Sequence, residues 1–487
     1  MSESPKQEKP PVALSVRPWR RWLKRGALIV FAIVVLSMLS RLVEREWDRV
    51  QGERELTREL AHAEKTDPDW TWERLNAARK RPPAGKNAAE VIPQIRAQQH
   101  PDWGKKIYSK EWEPRVQQVP PNVRYEPMVL AELRRDLDAS AGAVKLSRTL
   151  KDYPFGYRDI VLSPNVFDTL LEETQWARKA TDLLHWDIAL AVEDGDSQRA
   201  SDDILALMGG CRTIGDEPFH VSQLIRGAIR NLTVRTTERA IAQSERIPNL
   251  AQLQAAFAAE AEEPILLYAL RGERAVAHQL FENLRTGKTT IHDAVREGEA
   301  GTWTRIFWGF KYRGDRAADH ARALEYLTMY VEAARLPLEK QASAIERLPV
   351  AVHDRNRLMS SMILPKPELF RRTVRSAAML RCAVVGIACE RFRIDHGKWP
   401  DTLAALVPDY LAAVPLDPLA GTQLQYEKSE PGVIVYSVGR SGFDDGGTHD
   451  DVEPSVSGRV RFRLWNPDQR RLLPRPDPVE PEREPPP

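Results

Sequence analysis

The chain has few of the residues that build disulfide frameworks, metal centres or strongly charged binding surfaces. Its 487 residues include three cysteines and ten histidines, and 71 Lys plus Arg residues nearly balance 69 Asp plus Glu residues. Cys382 and Cys389 lie seven residues apart on one predicted helix, about 10 Å along its axis, which is too far for a disulfide between them. A formal net charge of +2 gives no nucleic-acid footprint at the level of the whole chain.

Motifs that identify common catalytic and nucleotide sites are also missing. The sequence has no His-Glu-x-x-His, no Gly-x-Ser-x-Gly and no phosphate-binding loop with the required glycine spacing. Two short stretches, His185 to Asp187 and Glu217 to His220, hold a histidine near a carboxylate, but a single histidine on a helix is more often structural. We therefore predict no catalytic residues and a protein that is not an enzyme. A membrane-anchored hydrolase with a site in the helical domain is an alternative.

The longest apolar run lies near the N-terminus. Residues 26–40 are almost all apolar, Leu42 and Val43 extend the run, and basic residues precede it, namely Arg17, Arg20, Arg21, Lys24 and Arg25. A helix of about 18 residues covers roughly 27 Å, just enough to cross a bilayer, and a basic flank favours the cytoplasmic side. The run therefore predicts a polar, disordered segment over 1–22 and an uncleaved transmembrane anchor over 23–43. The predicted location is the inner (cytoplasmic) membrane, with the N-terminus inside and the remainder extracytoplasmic. A cleaved signal peptide is the rival interpretation, but no small-x-small cleavage site follows the run.

The middle of the chain is predicted to be mainly helical. Residues 44–165 form a helical stalk followed by an irregular, proline-interrupted region in this prediction. Residues 166–365 repeat the order helix, Gly-Asp turn, helix, which is typical of antiparallel helical hairpins and predicts an α-helical, hairpin-array-like domain. A helical scaffold that binds a peptide or protein is a second alternative for the function.

Helix, turn and strand signals follow one another most clearly between residues 377 and 447. Apolar residues at helical spacing predict an amphipathic helix that stops at Asp395-His396-Gly397; they are Ala377, Leu380, Val384, Ile387 and Ile394. A short helical turn over 402–408 follows. Three strands, the first two joined by a Glu-Pro-Gly turn, are predicted at 423–427, 433–438 and 460–464.

This stretch resembles the C-terminal globular half of the major pseudopilin of type II secretion systems. The resemblance rests on Arg391 to Pro400, on Leu403 to Pro408, and on shorter matches at Tyr410-Leu411, Val414-Pro415, Asp417-Pro418, Tyr426, Tyr436 to Gly439 and Gly446-Gly447. It implies a pseudopilin-like α+β module with a small antiparallel sheet over 366–469, and a disordered proline-rich tail over 470–487 follows. Unlike pseudopilins, the chain has no short cleavage motif at Lys24 to Ile29, and more than 300 residues separate the apolar run from the module.

A loop after the second strand is the candidate metal site. Residues 442–451 hold four aspartates among glycines, and calcium prefers oxygen ligands of this kind. The pseudopilin resemblance implies calcium here, with a carbonyl from Val438 and the carboxylates of Asp444, Asp445, Asp450 and Asp451. Ser441 stands where the family has an aspartate, so an acidic turn without metal is the alternative.

These patterns predict a mainly α-helical, membrane-anchored protein that ends in a small α+β module. Its predicted function is that of an extracytoplasmic structural or interaction protein of the cell envelope. The predicted partners are membrane lipid, through the N-terminal helix, and other envelope proteins, but not nucleic acid.

Overall fold

The computed structural model describes residues 19–291, 293, 316–349, 367–439 and 460–474. Within these residues the fold is mainly helical, with one small antiparallel sheet of strand order β1-β2-β3. The helices are α1 (Trp19–Thr66), α2 (Trp72–Ala78), α3 (Val91–Gln98), α4 (Glu113–Val116), α5 (Pro127–Ala139), α6 (Ala141–Arg148), α7 (Glu172–Glu193), α8 (Ser197–Ile214), α9 (His220–Ala242), α10 (Leu250–Ala261), α11 (Ile265–Thr286), α12 (Arg316–Ala334), α13 (Leu338–Glu346) and α14 (Pro367–His396). The strands are β1 (Gln425–Ser429), β2 (Gly432–Tyr436) and β3 (Arg461–Trp465).

Two Gly-Asp turns set the path of α7, α8 and α9. Gly195 has a φ of 76°, and the Asp196 side chain caps α8 by accepting the backbone N–H of Arg199 at 3.0 Å. Gly215 ends α8 with a φ of 57°, and a Cβ there would lie 2.2 Å from the carbonyl oxygen of Gly156. Only glycine fits such a position. Both turns lie where the sequence predicts them, and the three helices pack against one another.

Helix α14 lies in the middle of the main core. It packs against α9 and α10 and also supports the sheet. The helix begins at Pro367, ten residues before the predicted start, because its apolar pattern continues upstream through Phe370 and Val374, which are both buried. It ends at His396, as predicted, and Gly397 takes the left-handed conformation with a φ of 71°.

The three strands form an antiparallel sheet whose register follows from the alternation of apolar residues. Tyr426 lies opposite Val435 in the β1–β2 pair, and Val433 lies opposite Leu464 in the β2–β3 pair. In β3 the apolar residues face the core while the two intervening arginines are half-buried. Each observed strand lies within two residues of its predicted position.

The sheet and the helices before it share one hydrophobic core. The same buried cluster contains Leu183 of α7, Ile229 of α9, Phe257 of α10, Val385 of α14 and Phe462 of β3. Beyond β3 the chain returns to the first half of the molecule, where the Leu472 N–H donates to the Asn122 carbonyl at 2.8 Å and the Leu472 carbonyl accepts from the Arg124 N–H at 2.8 Å. The two halves of the sequence are therefore packed together.

The predicted membrane anchor is contradicted. No helix within the described residues combines the length and the apolar character that crossing a membrane requires. The predictions of a transmembrane helix over 23–43 and of a single-pass inner-membrane location are therefore wrong.

The second half of α1 packs against α12. Ala63 of α1, Leu324 of α12 and Trp70 form a small buried cluster. Asp67 follows α1 directly and is 4% exposed, and three arginines surround its carboxylate, namely Arg271, Arg274 and Arg335. This ion cluster connects α1 to α11 and to the end of α12.

Candidate functional site

A buried cluster of charged side chains lies between α9 and α10. Arg226 and Arg230 are four residues apart and so share one face of α9, and Glu260 faces them from the end of α10. Arg226 donates to both carboxylate oxygens of Glu260 at 2.8 Å, and Arg230 Nε donates to Oε1 at 2.7 Å. All three side chains are at least 95% buried. Burial by itself would raise the pKa of Glu260, but the two guanidinium groups outweigh it and lower the pKa to about 2.

The two arginines differ in how fully their hydrogen bonds are satisfied. Arg226 Nη1 donates to the Gly215 carbonyl at 2.9 Å, and Arg226 Nη2 lies 3.4 Å from a Glu263 oxygen. Arg230 Nη2 donates to the Glu260 carbonyl at 2.7 Å, whereas Arg230 Nη1 is buried and has no hydrogen-bond partner among the described residues. A buried donor without a partner costs about 1–3 kcal/mol, and more when it is charged.

Arg230 lines a cavity of about 280 Å³, which we call the Arg230 cavity. The cavity is bounded by the α10–α11 junction, the turn between α12 and α13, and the start of α14. Its apolar lining residues include Ile265, Leu266, Leu267, Leu336, Leu338 and Val374, and its polar and charged ones are Arg230, Glu262, Glu263, Arg335, Thr373 and Gln341. A cleft that combines apolar walls with polar groups at fixed positions is the usual form of a ligand site.

Gln341 of α13 supplies a second spare polar atom to the Arg230 cavity. Its side chain is buried, and Nε2 donates to the carbonyl oxygens of Ala334 at 3.0 Å and Leu336 at 2.9 Å. These two acceptors fix which end of the amide is the nitrogen. Oε1 of Gln341 is buried and has no partner within the described part of the chain. Two residues that line the cavity therefore each have one buried polar atom without a partner among the described residues, Nη1 of Arg230 and Oε1 of Gln341.

A neighbouring cavity of about 320 Å³ shares Ala261 and Glu262 with the Arg230 cavity. Its arginine, Arg381, is already engaged, because Nη1 donates to the Leu416 carbonyl at 2.8 Å and Nη2 donates to Glu262 Oε1 at 2.9 Å. This arginine holds α14, α10 and the 415–416 segment together. The Arg230 cavity is the stronger candidate for binding because its arginine has a donor to spare.

The structure separates His185 from Asp187, the first histidine–carboxylate pair considered from the sequence. His185 Nδ1 lies 2.6 Å from the Thr236 hydroxyl, and burial together with nearby arginines lowers the pKa of His185 to about 3. Asp187 instead accepts from Arg148 Nε at 2.8 Å and lies beside Asp203. These two residues therefore form no acid–base pair.

Glu217 and His220 are also separated. The Glu217 carboxylate accepts from the Thr174 hydroxyl at 3.1 Å and lies 3.3 Å from Arg158. The His220 ring packs against Phe370 at a centroid distance of 5.8 Å. At the surface, His62 Nε2 lies 3.4 Å from Glu332 Oε1, and both side chains are 46% exposed. That pair lines neither cavity.

The predicted calcium ligands fall almost entirely outside the described residues. Val438 follows β2 and is half-buried, whereas Asp444, Asp445, Asp450 and Asp451 belong to the part of the chain that the structure does not describe. Over the described ranges, no group of three or more His, Cys, Asp or Glu side chains is placed to hold a metal ion. Calcium binding by this loop stays a prediction.

Sequence reasoning missed Arg226, Arg230, Glu260 and Gln341. The sequence does contain a signal for the arginines. Each directly follows an apolar residue of α9, Arg226 after Ile225 and Arg230 after Ile229, so both lie within the apolar pattern of the helix. Charged residues within an apolar helical pattern indicate a buried, paired cluster. Their partner on α10 lies at least thirty residues away in the chain, so the pattern does not identify it.

No family model, no curated protein and no solved structure matches this chain. No family match therefore supports the predicted link to type II secretion or to calcium, and the pseudopilin resemblance stays a prediction. In physical terms, the described residues form a mainly helical protein with a small sheet and a partly apolar cavity that Arg230 lines.

Proposed function

We propose that the protein is a binding protein that recognises a small ligand, or the end of a larger one, carrying an anionic group on an apolar body. The observation that supports this proposal is Nη1 of Arg230, which has no partner among the described residues and belongs to a buried side chain beside a partly apolar cavity of about 280 Å³. This function keeps the interaction role that the sequence predicts.

Charge balance favours an anionic ligand. In the buried cluster two guanidinium groups face one buried carboxylate, that of Glu260. Glu263 is 3.4 Å from Arg226, but its side chain is 41% exposed, so water screens part of its charge. A carboxylate on Arg230 Nη1 would satisfy the orphan donor and offset the remaining positive charge. Hydrogen bonds to charged groups contribute about 1.5–3 kcal/mol each.

Size and lining favour an apolar body of modest length. The volume of about 280 Å³ lies near the lower limit of ligand sites, which usually span roughly 300–1,000 Å³. Apolar surface buried in such a cavity contributes about 25 cal/mol per Å². The cavity therefore suits a short branched aliphatic group better than a sugar or a nucleotide.

The resemblance of the C-terminal module to pseudopilins is a separate proposal. A long helix, a short helical turn and a small antiparallel sheet follow one another in residues 367–465, and this order supports that proposal. It says nothing about the ligand of the Arg230 cavity, which is formed largely by helices outside the module.

Isothermal titration calorimetry of the full chain with 4-methylpentanoate and its neutral isostere, 4-methylpentanamide, tests the proposed function. We expect the carboxylate to bind at least tenfold more tightly, which corresponds to about 1.4 kcal/mol. Arg230→Met should abolish this preference, whereas Arg381→Met, the matched change in the neighbouring cavity, should retain it. Circular dichroism checks that each variant is folded. If neither probe binds the wild-type protein, the proposed function is wrong, and this result does not depend on the variants.

A further inference from the structure

The unused acceptor of Gln341 identifies a second requirement for the ligand. Both Nε2 hydrogens of Gln341 are committed to backbone carbonyls, so Oε1 can only accept. The residue is 6% exposed, and Oε1 has no partner among the described residues. A simple carboxylate would satisfy Arg230 but leave this acceptor empty.

We propose that the Arg230 cavity binds an N-acylated apolar amino acid with a free α-carboxylate, as found at the C-terminal end of a peptide. This inference rests on the proposed function. The α-carboxylate accepts from Arg230 Nη1, the acyl-amide N–H donates to Gln341 Oε1, and the aliphatic side chain packs on Leu266, Leu338 and Val374, which line the same cavity. An acylamino acid carries its N–H and its carboxylate on one carbon atom, so a small cavity can engage both.

The charges around the cavity favour the acylated form over a free amino acid. A free amino acid would bring an ammonium group close to the guanidinium of Arg230, and like charges repel. The two glutamates that line the cavity are already paired, Glu262 with Arg381 and Glu263 with Arg226. An acylated nitrogen is neutral and still offers the N–H that Gln341 requires.

Three probes of the wild-type protein separate this inference from the proposed function. They are N-acetyl-L-leucine, 4-methylpentanoate, which lacks the amide, and N-acetyl-L-leucinamide, which lacks the carboxylate. We expect N-acetyl-L-leucine to bind at least tenfold more tightly than either of the others. Equal affinity for N-acetyl-L-leucine and 4-methylpentanoate would overturn the inference and leave the proposed function standing. Absence of binding by both carboxylates would overturn the proposed function itself.

Variants localise the amide contact. Gln341→Met should reduce the affinity for N-acetyl-L-leucine to that for 4-methylpentanoate while leaving the latter within twofold of its wild-type value. Gln254→Met is the matched control, because Gln254 is also buried and also donates to a backbone carbonyl, that of Tyr410 at 2.8 Å, but does not line the cavity. We expect wild-type affinities for this control.

A dipeptide probe, N-acetyl-glycyl-L-leucine, distinguishes the two sources of this chemistry. Tighter binding than that of N-acetyl-L-leucine indicates the C-terminal end of a peptide, and equal binding indicates a free acylamino acid.

Discussion

Replacing Glu260 by glutamine tests the energetics of the buried cluster most directly. The change keeps the shape of the side chain and removes its negative charge, so the guanidinium groups of Arg226 and Arg230 remain buried without a counter-ion. Breaking a buried ion pair by removing one partner costs about 3–5 kcal/mol. Glu262→Gln is the matched control two residues along the chain. Its side chain is 66% exposed and pairs with Arg381, and an exposed pair contributes only about 0–1 kcal/mol.

The lowered pKa of Glu260 predicts that the loss of unfolding free energy caused by this substitution depends on pH. The pKa of Glu260 is lowered from 4.5 to about 2 in the folded protein, so the carboxylate contributes stability above pH 4.5 that is lost as the pH falls towards 2. A shift of this size corresponds to about 3 kcal/mol at neutral pH. The difference in unfolding free energy between wild type and Glu260→Gln should therefore shrink by about 2 kcal/mol between pH 7 and pH 3.

Urea unfolding followed by circular dichroism at pH 7, 5, 4 and 3 measures this difference. A loss of less than about 1 kcal/mol in Glu260→Gln at pH 7, equal to that of Glu262→Gln, would refute the reasoning. So would a difference that stays constant over the whole pH range, because it would show that the Glu260 carboxylate is not held in its charged form by the arginines.

Two further predictions concern a carboxyl pair and the contact between α14 and the sheet. Burial beside Asp187 raises the pKa of Asp203 to about 8, so the folded state holds an extra proton between pH 4 and pH 8 and loses stability as the pH rises through that window. Asp203→Asn should make the melting temperature depend less on pH in this window, and an unchanged pH dependence would contradict the prediction. Gly386→Ala would place a Cβ 2.3 Å from the ring of Phe462 and should destabilise the folded protein by about 1–3 kcal/mol. Gly227→Ala is the control, because the nearest atom is 3.5 Å away, and it should be neutral or stabilise the protein by up to about 1 kcal/mol. Equal melting temperatures for the two variants would argue against the close approach of Gly386 to Phe462.

Local signals in the sequence predicted local structure well. The Gly-Asp turns at 195–196 and 215–216 bound α8 because a glycine with positive φ and a capping aspartate act within a few residues. The end of α14 and the three strands follow for the same reason. The start of α14 was predicted ten residues late, although Phe370 and Val374 continue its apolar spacing upstream of Ala377.

Features that depend on distant segments were not predictable in this way. Residues of α9, the α10–α11 junction, the α12–α13 turn and α14 line the Arg230 cavity. No periodic pattern in the sequence predicts that these segments pack together. The membrane prediction was wrong, since no helix among the described residues is long and apolar enough to cross a bilayer. The pseudopilin-like pattern covers about residues 377–466 alone, so it gave no indication that Val385 and Phe462 share a core with Leu183 and Phe257.

The C-terminal segment after β3 has a consequence for the order in which the molecule is completed during synthesis. Arg470 is buried, donates to Glu390 at 2.8 Å and to the Trp465 carbonyl at 2.9 Å, and reaches the Ile241 carbonyl of α9 at 3.3 Å. Until residue 470 leaves the ribosome, one guanidinium that balances Glu390 is missing and the carbonyl at the end of α9 lacks this donor. The contacts that join α9 and α14 around Glu390 are therefore completed only after residue 470 has been synthesised.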